Sequence, residues 1–278
     1  MKSHTFWKKC AAGLLAAFST LAFSTASAAS RDLAIDGDHG KLAAVLQTPD
    51  DRTNYPLVLL FHGFTSNKED PIVTTLADEL EQDGIASLRI DFNGHGASEE
   101  RFEDMTIPNE INDAKHVYDY ARQLPHVTDI GVAGHSQGGV VTSMFAGELG
   151  KDKLKAVVLL SPAAVLRDNI LQGVWFDARF NPDELPDTLS VLDHPVGKAY
   201  LEAAKTLPIY ETAKKYTGPV CIVQGTSDVF VPYTYAERYH DVLNQSELHL
   251  LKGFDHSYTQ DIPKATSIAA DFLKHHLD

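Results

Sequence analysis

Cysteine is almost missing from this chain of 278 residues, which has Cys10 and Cys221 and no other. Cys10 falls in a stretch expected to be removed, so Cys221 stands alone and no internal disulfide can form. Basic residues are also scarce, 24 Lys and Arg against 38 Asp and Glu, a formal net charge of −14. An acidic balance of this kind disfavours nucleic acid and anionic lipid as partners. The longest apolar run, Ala11 to Phe23, falls short of the roughly 20 residues a membrane helix needs. No G-x-x-x-x-G-K-[ST] and no strand-borne G-x-G-x-x-G is found, nor a histidine or carboxylate spacing suited to zinc or calcium. The expectation is a protein that works without cofactor or metal. Internal repeats and low-complexity segments are absent after residue 28.

The first 28 residues differ from the rest of the chain. Lys2, Lys8 and Lys9 give a basic opening, Ala11 to Phe23 is apolar, and Ala26-Ser27-Ala28 offers small residues at a cleavage site. These are the three regions of a secretory signal peptide. Residues 1–28 are therefore expected to be a leader and 29–278 the mature domain, exported to a periplasm or to the exterior. Cys10 precedes the apolar run and is badly placed for lipid attachment, so no membrane tether is expected after cleavage. The leader carries three Lys and no acid, which leaves the mature chain at −17. The remaining length suffices for one α/β domain with a large core.

Apolar runs of strand length recur at Leu42–Leu46, Leu57–Phe61, Ile85–Ile90, Ile130–Ala133, Ala156–Leu160, Pro219–Val223 and Leu248–Leu251. Between most of them lie amphipathic stretches of helix length, Pro71–Gln82, Glu110–Gln123, Gln137–Leu149, Tyr233–Asn244 and Asp261–His275. Strands apolar on both faces, alternating with helices, predict a mostly parallel sheet covered on both sides. Ligands of such sheets collect at the carboxyl ends of the strands. From Pro162 to Pro208 the alternation breaks: prolines and aromatics gather there, with no clear strand–helix unit, and Trp175 is the sole tryptophan after the leader. A long unpatterned stretch inside a compact domain is usually functional. This one is expected to fold as a lid over the strand ends.

Gly134-His135-Ser136-Gln137-Gly138 matches G-x-S-x-G between a predicted strand and a predicted helix. In that context the serine sits on a strained turn with its hydroxyl exposed, the position of a nucleophile, and the glycines let two backbones come close. A chain of this length meets the pattern by accident roughly one time in ten, so the motif needs partners. A serine hydroxyl needs a base. Among 13 histidines only His256, in Gly253-Phe254-Asp255-His256-Ser257, combines a loop after the last strand with the right chain order. The acid that orients it is expected to be Asp228, just past Pro219–Val223; Asp255 is the rival and more plausibly shapes the histidine loop. Ser136, Asp228, His256 is the chain order of the α/β-hydrolases. Oxyanion donors are expected from the backbone N–H of Gln137 and of Phe64, in Phe61-His62-Gly63-Phe64-Thr65. There the Phe64 side chain should matter less than the conformation of Gly63. Asp91-Phe92-Asn93-Gly94-His95-Gly96-Ala97-Ser98 reads as scaffold rather than as a second catalytic set.

With these positions placed, the chain resembles the bacterial cinnamoyl or feruloyl esterases of the α/β-hydrolase superfamily. The likeness is carried by His62-Gly63-Phe64-Thr65-Ser66-Asn67, Asp91-Phe92-Asn93-Gly94-His95-Gly96, Gly134-His135-Ser136-Gln137-Gly138-Gly139-Val140-Val141, Leu160-Ser161-Pro162-Ala163-Ala164, Leu207-Pro208-Ile209-Tyr210-Glu211 and Asp255-His256. It implies a mostly parallel central sheet with helices on both faces and a lid, about 162–208, inserted after the sixth strand. It implies too that polar lid residues meet the phenolic end of a hydroxycinnamoyl group, and these fall on Asp168, Gln172 and Tyr200. Trp175 would line the same pocket, as suits a flat aromatic acyl group. For Asp168 a helix cap is an equal alternative, and Tyr200 and Trp175 have core packing as theirs. Expected substrates are small hydroxycinnamate esters or feruloylated oligosaccharides. Rival functions are a carboxylesterase or monoacylglycerol lipase on aliphatic esters, a peptidase, and a non-catalytic receptor on a hydrolase fold.

Overall fold

The computed structural model describes residues 29–50 and 53–277, so the leader expected at 1–28 lies outside the described residues. One sheet holds eight strands: β1 (Ala29–Asp36), β2 (Lys41–Thr48), β3 (Tyr55–Phe61), β4 (Ala86–Ile90), β5 (Val127–His135), β6 (Val157–Leu160), β11 (Val220–Gly225) and β12 (Ser246–Leu251). Their spatial order is β1-β2-β4-β3-β5-β6-β11-β12. From β4 to β12 every neighbouring pair is parallel, while β1–β2 and β2–β4 are antiparallel. This is the α/β-hydrolase fold.

The strands are apolar on both faces because each face has its own core. In β3, Leu57, Leu59 and Phe61 enter one cluster, with Ala114 and Val117 of α2 (Ile107–Ala121) and Val140 and Phe145 of α3 (Gln137–Leu149). Val58 and Leu60 enter the other, with Leu76 and Leu80 of α1 (Pro71–Gln82) and Ala269 and Leu273 of α8 (Ile262–Leu277). Burial of each such aliphatic side chain stabilises the fold by about 1.5–3 kcal/mol. Register is therefore fixed, since a one-residue slip would exchange the two cores. Among the described residues, no helix is long and apolar enough to cross a membrane.

The structure differs from the periodicity reading at three places. The edge strand β1 carries little apolar signal, with Ile35 as its buried residue. Helix α2 starts at Ile107 rather than Glu110, because Thr106 Oγ1 caps it by accepting from Asn109 N–H (3.2 Å) and Pro108 suits its first turn. The segment between β6 and α6 (Ile209–Ala213) is ordered into elements. It holds α4 (Val165–Gln172), a hairpin of β7 (Val174–Trp175) and β8 (Ala178–Arg179), a hairpin of β9 (Thr188–Val191) and β10 (His194–Gly197), and α5 (Lys198–Thr206). The β9–β10 turn places Leu192 and Asp193 at positive φ, 50° and 63°. That geometry is usually announced by Asn-Gly or Asp-Gly, so nothing in the sequence signalled it.

Candidate active site

Four loops meet at the carboxyl ends of β3, β5, β11 and β12. Ser136 follows β5 with φ 56° and ψ −120°, a conformation that costs about 1–3 kcal/mol and persists only where its surroundings enforce it. The enforcement is close packing: a Cβ on Gly134 would lie 2.2 Å from the Gly138 carbonyl oxygen, and one on Gly138 would lie 2.3 Å from that of His62. The G-x-S-x-G spacing thus records three backbones in contact. Small residues are obligatory at both ends of it.

His256 Nε2 lies 2.9 Å from Ser136 Oγ, and His256 Nδ1 lies 2.7 Å from Asp228 Oδ2. A carboxylate accepts, so Nδ1 carries the hydrogen and Nε2 is free to accept from the serine hydroxyl. Asp228, whose side chain is fully buried, also accepts from Gln224 Nε2 (2.9 Å), Phe230 N–H (2.9 Å) and Val231 N–H (2.8 Å). Asp255 instead closes the histidine loop, accepting from Thr259 N–H at 2.9 Å. His135 Nε2 donates to the His256 carbonyl (3.0 Å) and so braces that loop from the strand that leads into Ser136. Burial, and then the neighbouring His256, push the His135 pKa down to about 4, so it is a neutral strut.

Among the described residues, neither the Gln137 nor the Phe64 N–H donates to a protein acceptor. His62 holds the Phe64 loop: its Nδ1–H donates to the Gly63 carbonyl (2.8 Å) while its Nε2 accepts from Phe92 N–H (3.1 Å). The Phe64 side chain has more to do than the sequence suggested. Its ring stacks on Phe176 (5.9 Å, 11°) and meets Trp175 (4.7 Å), pinning the insertion to the loop after β3. Asp91 braces the same region from below, accepting from Lys68 N–H (2.6 Å), Lys68 Nζ (3.0 Å) and Ala97 N–H (2.8 Å).

Two clefts open from Ser136 and His256. One, of about 450 Å³, is walled by Leu166, Trp175, Phe176, Phe230 and Val231 and has Asn169 and Asp177 as its polar points beyond the serine and histidine. The other, of about 430 Å³, is lined by Thr65, Ser66, Asn67 and Glu69 and shares Phe176 and Phe230 with the first. Of the four expected lid residues, the structure brings Trp175 to the apolar cleft and none of the others. Asp168 points to α7 (Thr234–Val242), accepting from Tyr235 OH (2.6 Å) and pairing with Arg238 (3.6 Å). It does not cap α4 either, whose N-cap is Ala164. Gln172 is exposed at the end of α4. Tyr200 is fully buried and its hydroxyl donates to Gln137 Oε1 (2.8 Å). Asn169 is the polar residue of α4 in the cleft, and it was missed by one position. Among the described residues, one group has metal-ligand spacing, Cys221, Glu247 and His249, on strands β11 and β12 and outside both clefts.

Known proteins share both the fold and the sequence. A family model described as Hydrolase_4, serine aminopeptidase S33, matches residues 53–181. The structure of Est1E from Butyrivibrio proteoclasticus with ferulic acid bound superposes with a TM-score of 0.84 at 33% identity, covering 88% of this chain and 98% of that one. A second Est1E structure gives 0.81 at 31% identity, with the same 88% and 98% coverage. Dienelactone hydrolase from Anabaena variabilis, at 17% identity and TM-score 0.66 over 90% of this chain and 99% of that one, shares the fold. A comparison with curated protein sequences found no match. Shared sequence over nearly the whole of Est1E, on a shared fold, shows that the chain belongs to the α/β-hydrolase family, in its ester-hydrolase class.

Proposed function

We propose that the protein is an exported serine esterase that cleaves hydroxycinnamoyl esters of the feruloyl type. The observation that carries this reading is the Asp228–His256–Ser136 relay, 2.7 and 2.9 Å, at the floor of a cleft walled by Trp175, Phe176 and Phe230. A planar phenylpropenoyl group suits aromatic walls, and Asn169 and Asp177 offer polar contacts for ring hydroxyls. Bound ferulic acid in Est1E, a relative at 33% identity, supports the same substrate class here. The polar cleft past Thr65 and Asn67 then takes the alcohol.

On this reading His256 removes the Ser136 proton as Oγ attacks the ester carbonyl. The N–H groups of Gln137 and Phe64 receive the oxyanion, each lowering the barrier by about 3–4 kcal/mol. The leaving alkoxide takes the proton from His256, and the acyl group stays on Oγ. Water then loses a proton to His256 and attacks the acyl carbon. The acid is released and Oγ regains its proton.

Aliphatic esters are the second reading, favoured by the share of Val165, Leu166, Val174 and Val231 in the same wall. Turnover of methyl ferulate against methyl butyrate decides between them: the aromatic reading expects at least tenfold higher kcat/KM for ferulate, and preference for butyrate would overturn it. Ser136→Ala should remove activity on both, and an active Ser136→Ala enzyme would sink the mechanism. Ferulate should also quench Trp175 fluorescence, since that ring lines the acyl cleft.

A further inference from the structure

Glu110 stands in the first turn of α2, is 1% exposed, and belongs to no part of the mechanism above. Its Oε1 accepts from Gln137 Nε2 at 2.8 Å. The same Gln137 side chain accepts from Tyr200 OH at 2.8 Å, and its Oε1 and Nε2 are thereby both used. Glu110 Oε2 has no partner and no solvent. Burial, and secondarily Asp113, push the Glu110 carboxyl well above the usual carboxylate range, against the opposing pull of the Gln137 hydrogen bond. A chain of three buried polar groups from α2, α3 and α5 therefore closes on the residue that follows Ser136.

From this geometry we infer that Glu110 and Tyr200 are positioning residues, clamping the Gln137 side chain so that its backbone N–H stays aimed at the oxyanion. The inference rests on the oxyanion role given to Gln137 above. Its physical ground is the strain at Ser136. The peptide plane between Ser136 and Gln137 turns with Ser136 ψ and Gln137 φ, and a residue at φ 56° relaxes unless its neighbours are held. Helix α3 holds the carboxyl side of Gln137. The clamp holds the side chain from two further elements, one of them in the insertion. Tyr200 also stacks on Trp175 (4.9 Å, 8°), so the wall of the acyl cleft and the oxyanion donor share a support.

Three variants test the clamp: Glu110→Leu, which removes the acceptor; Tyr200→Phe, which removes only the hydroxyl; and Glu110→Gln, which keeps an acceptor toward Gln137. The clamp predicts that Glu110→Leu and Tyr200→Phe lower kcat on methyl ferulate about 10-fold or more with KM within about threefold, as expected when an interaction made only in the transition state is weakened. Affinity for a trifluoromethyl ketone analogue, whose tetrahedral adduct places an oxyanion at the same donors, should fall in step with kcat/KM, while affinity for the product ferulate stays level. Glu110→Gln should restore kcat to within about threefold of wild type. If Glu110→Leu and Tyr200→Phe keep wild-type kcat, or lose ketone and ferulate affinity equally, the clamp is refuted. Full activity in Ser136→Ala or His256→Ala would refute the mechanism itself, which separates the two failures. Should Glu110→Leu fail to fold, Tyr200→Phe alone decides, because it deletes one atom and leaves the packing.

Discussion

Asn169 and Asp168 are neighbours on α4 that face different ways, one into the apolar cleft and the other to Tyr235 and Arg238 of α7. On the proposed function, the side chain that would meet the substrate is therefore the amide. Asn169→Ala is expected to lower kcat/KM for methyl p-coumarate or ferulate about 5- to 30-fold relative to methyl cinnamate, the worth of one hydrogen bond at about 1–2 kcal/mol. Asp168→Ala should reduce the three esters equally and cost about 1 kcal/mol of stability, because it deletes the Tyr235 acceptor. Parallel kinetics on the ester series, with melting temperatures, check both; an Asn169→Ala enzyme with uniform losses would remove Asn169 from substrate recognition. The contrast also explains which site residues were legible. Ser136, Asp228 and His256 each follow a strand and sit in loops with their own glycine punctuation, so local sequence located them. Helix phase is different: one residue turns a side chain by about 100°, and a loose match across the insertion could not fix it. Tyr200, placed at the phenolic end by resemblance alone, turns its hydroxyl to the interior.

The strand-end loops are braced by three buried histidines, and this makes their stability depend on pH in a predictable direction. His62 links the Phe64 loop to Phe92, His95 packs against His62 (4.9 Å between rings), and His135 holds the His256 loop. Burial lowers all three, His95 to about 3 and His135 to about 4. In the unfolded chain they take up protons near pH 6.5, so between pH 6.5 and about 4 the unfolded state binds more protons and stability falls as pH falls, by at most ~1.4 kcal/mol per pH unit for each histidine. Asp113, raised to about 6 by burial, and Glu110 act in the opposite direction over the same range. The histidine contribution must therefore be read as a difference. Wild type should lose stability relative to His95→Gln as pH drops from 7 to 4.5, measured by urea unfolding at each pH, and a constant difference would mean that His95 is protonated in the fold. Element boundaries were legible where two faces of a strand or one face of a helix carried the apolar pattern, as in β3 and α1. They were not legible in β7 to β10, where strands of two to four residues are too short to show a period.

Over the whole molecule a net charge of −14, or −17 once the expected leader with its three Lys is removed, acts on every ester that reaches the clefts. Methyl ferulate and feruloylated sugars are neutral, whereas a chlorogenate-type ester carries a carboxylate on its alcohol. That alcohol would enter the cleft containing Glu69 and Asp70. At low ionic strength the summed field repels the anion at long range, while added salt shortens the screening length from about 30 Å at 0.01 M to about 8 Å at 0.15 M. The expected outcome is a kcat/KM for chlorogenate that rises several-fold across that range, through KM, with methyl ferulate unchanged. In the apolar cleft Val229 (82% exposed) and Phe230 (51%) are uncharged, and Asp177, the carboxylate in its lining, would meet the acyl half of either ester and so affects both alike. Identical salt dependence for the two esters would show that local groups outweigh the global field. A rise confined to chlorogenate would instead place neutral sugar esters ahead of anionic ones as the substrates this surface admits, and would predict ready expulsion of the ferulate anion after each turnover.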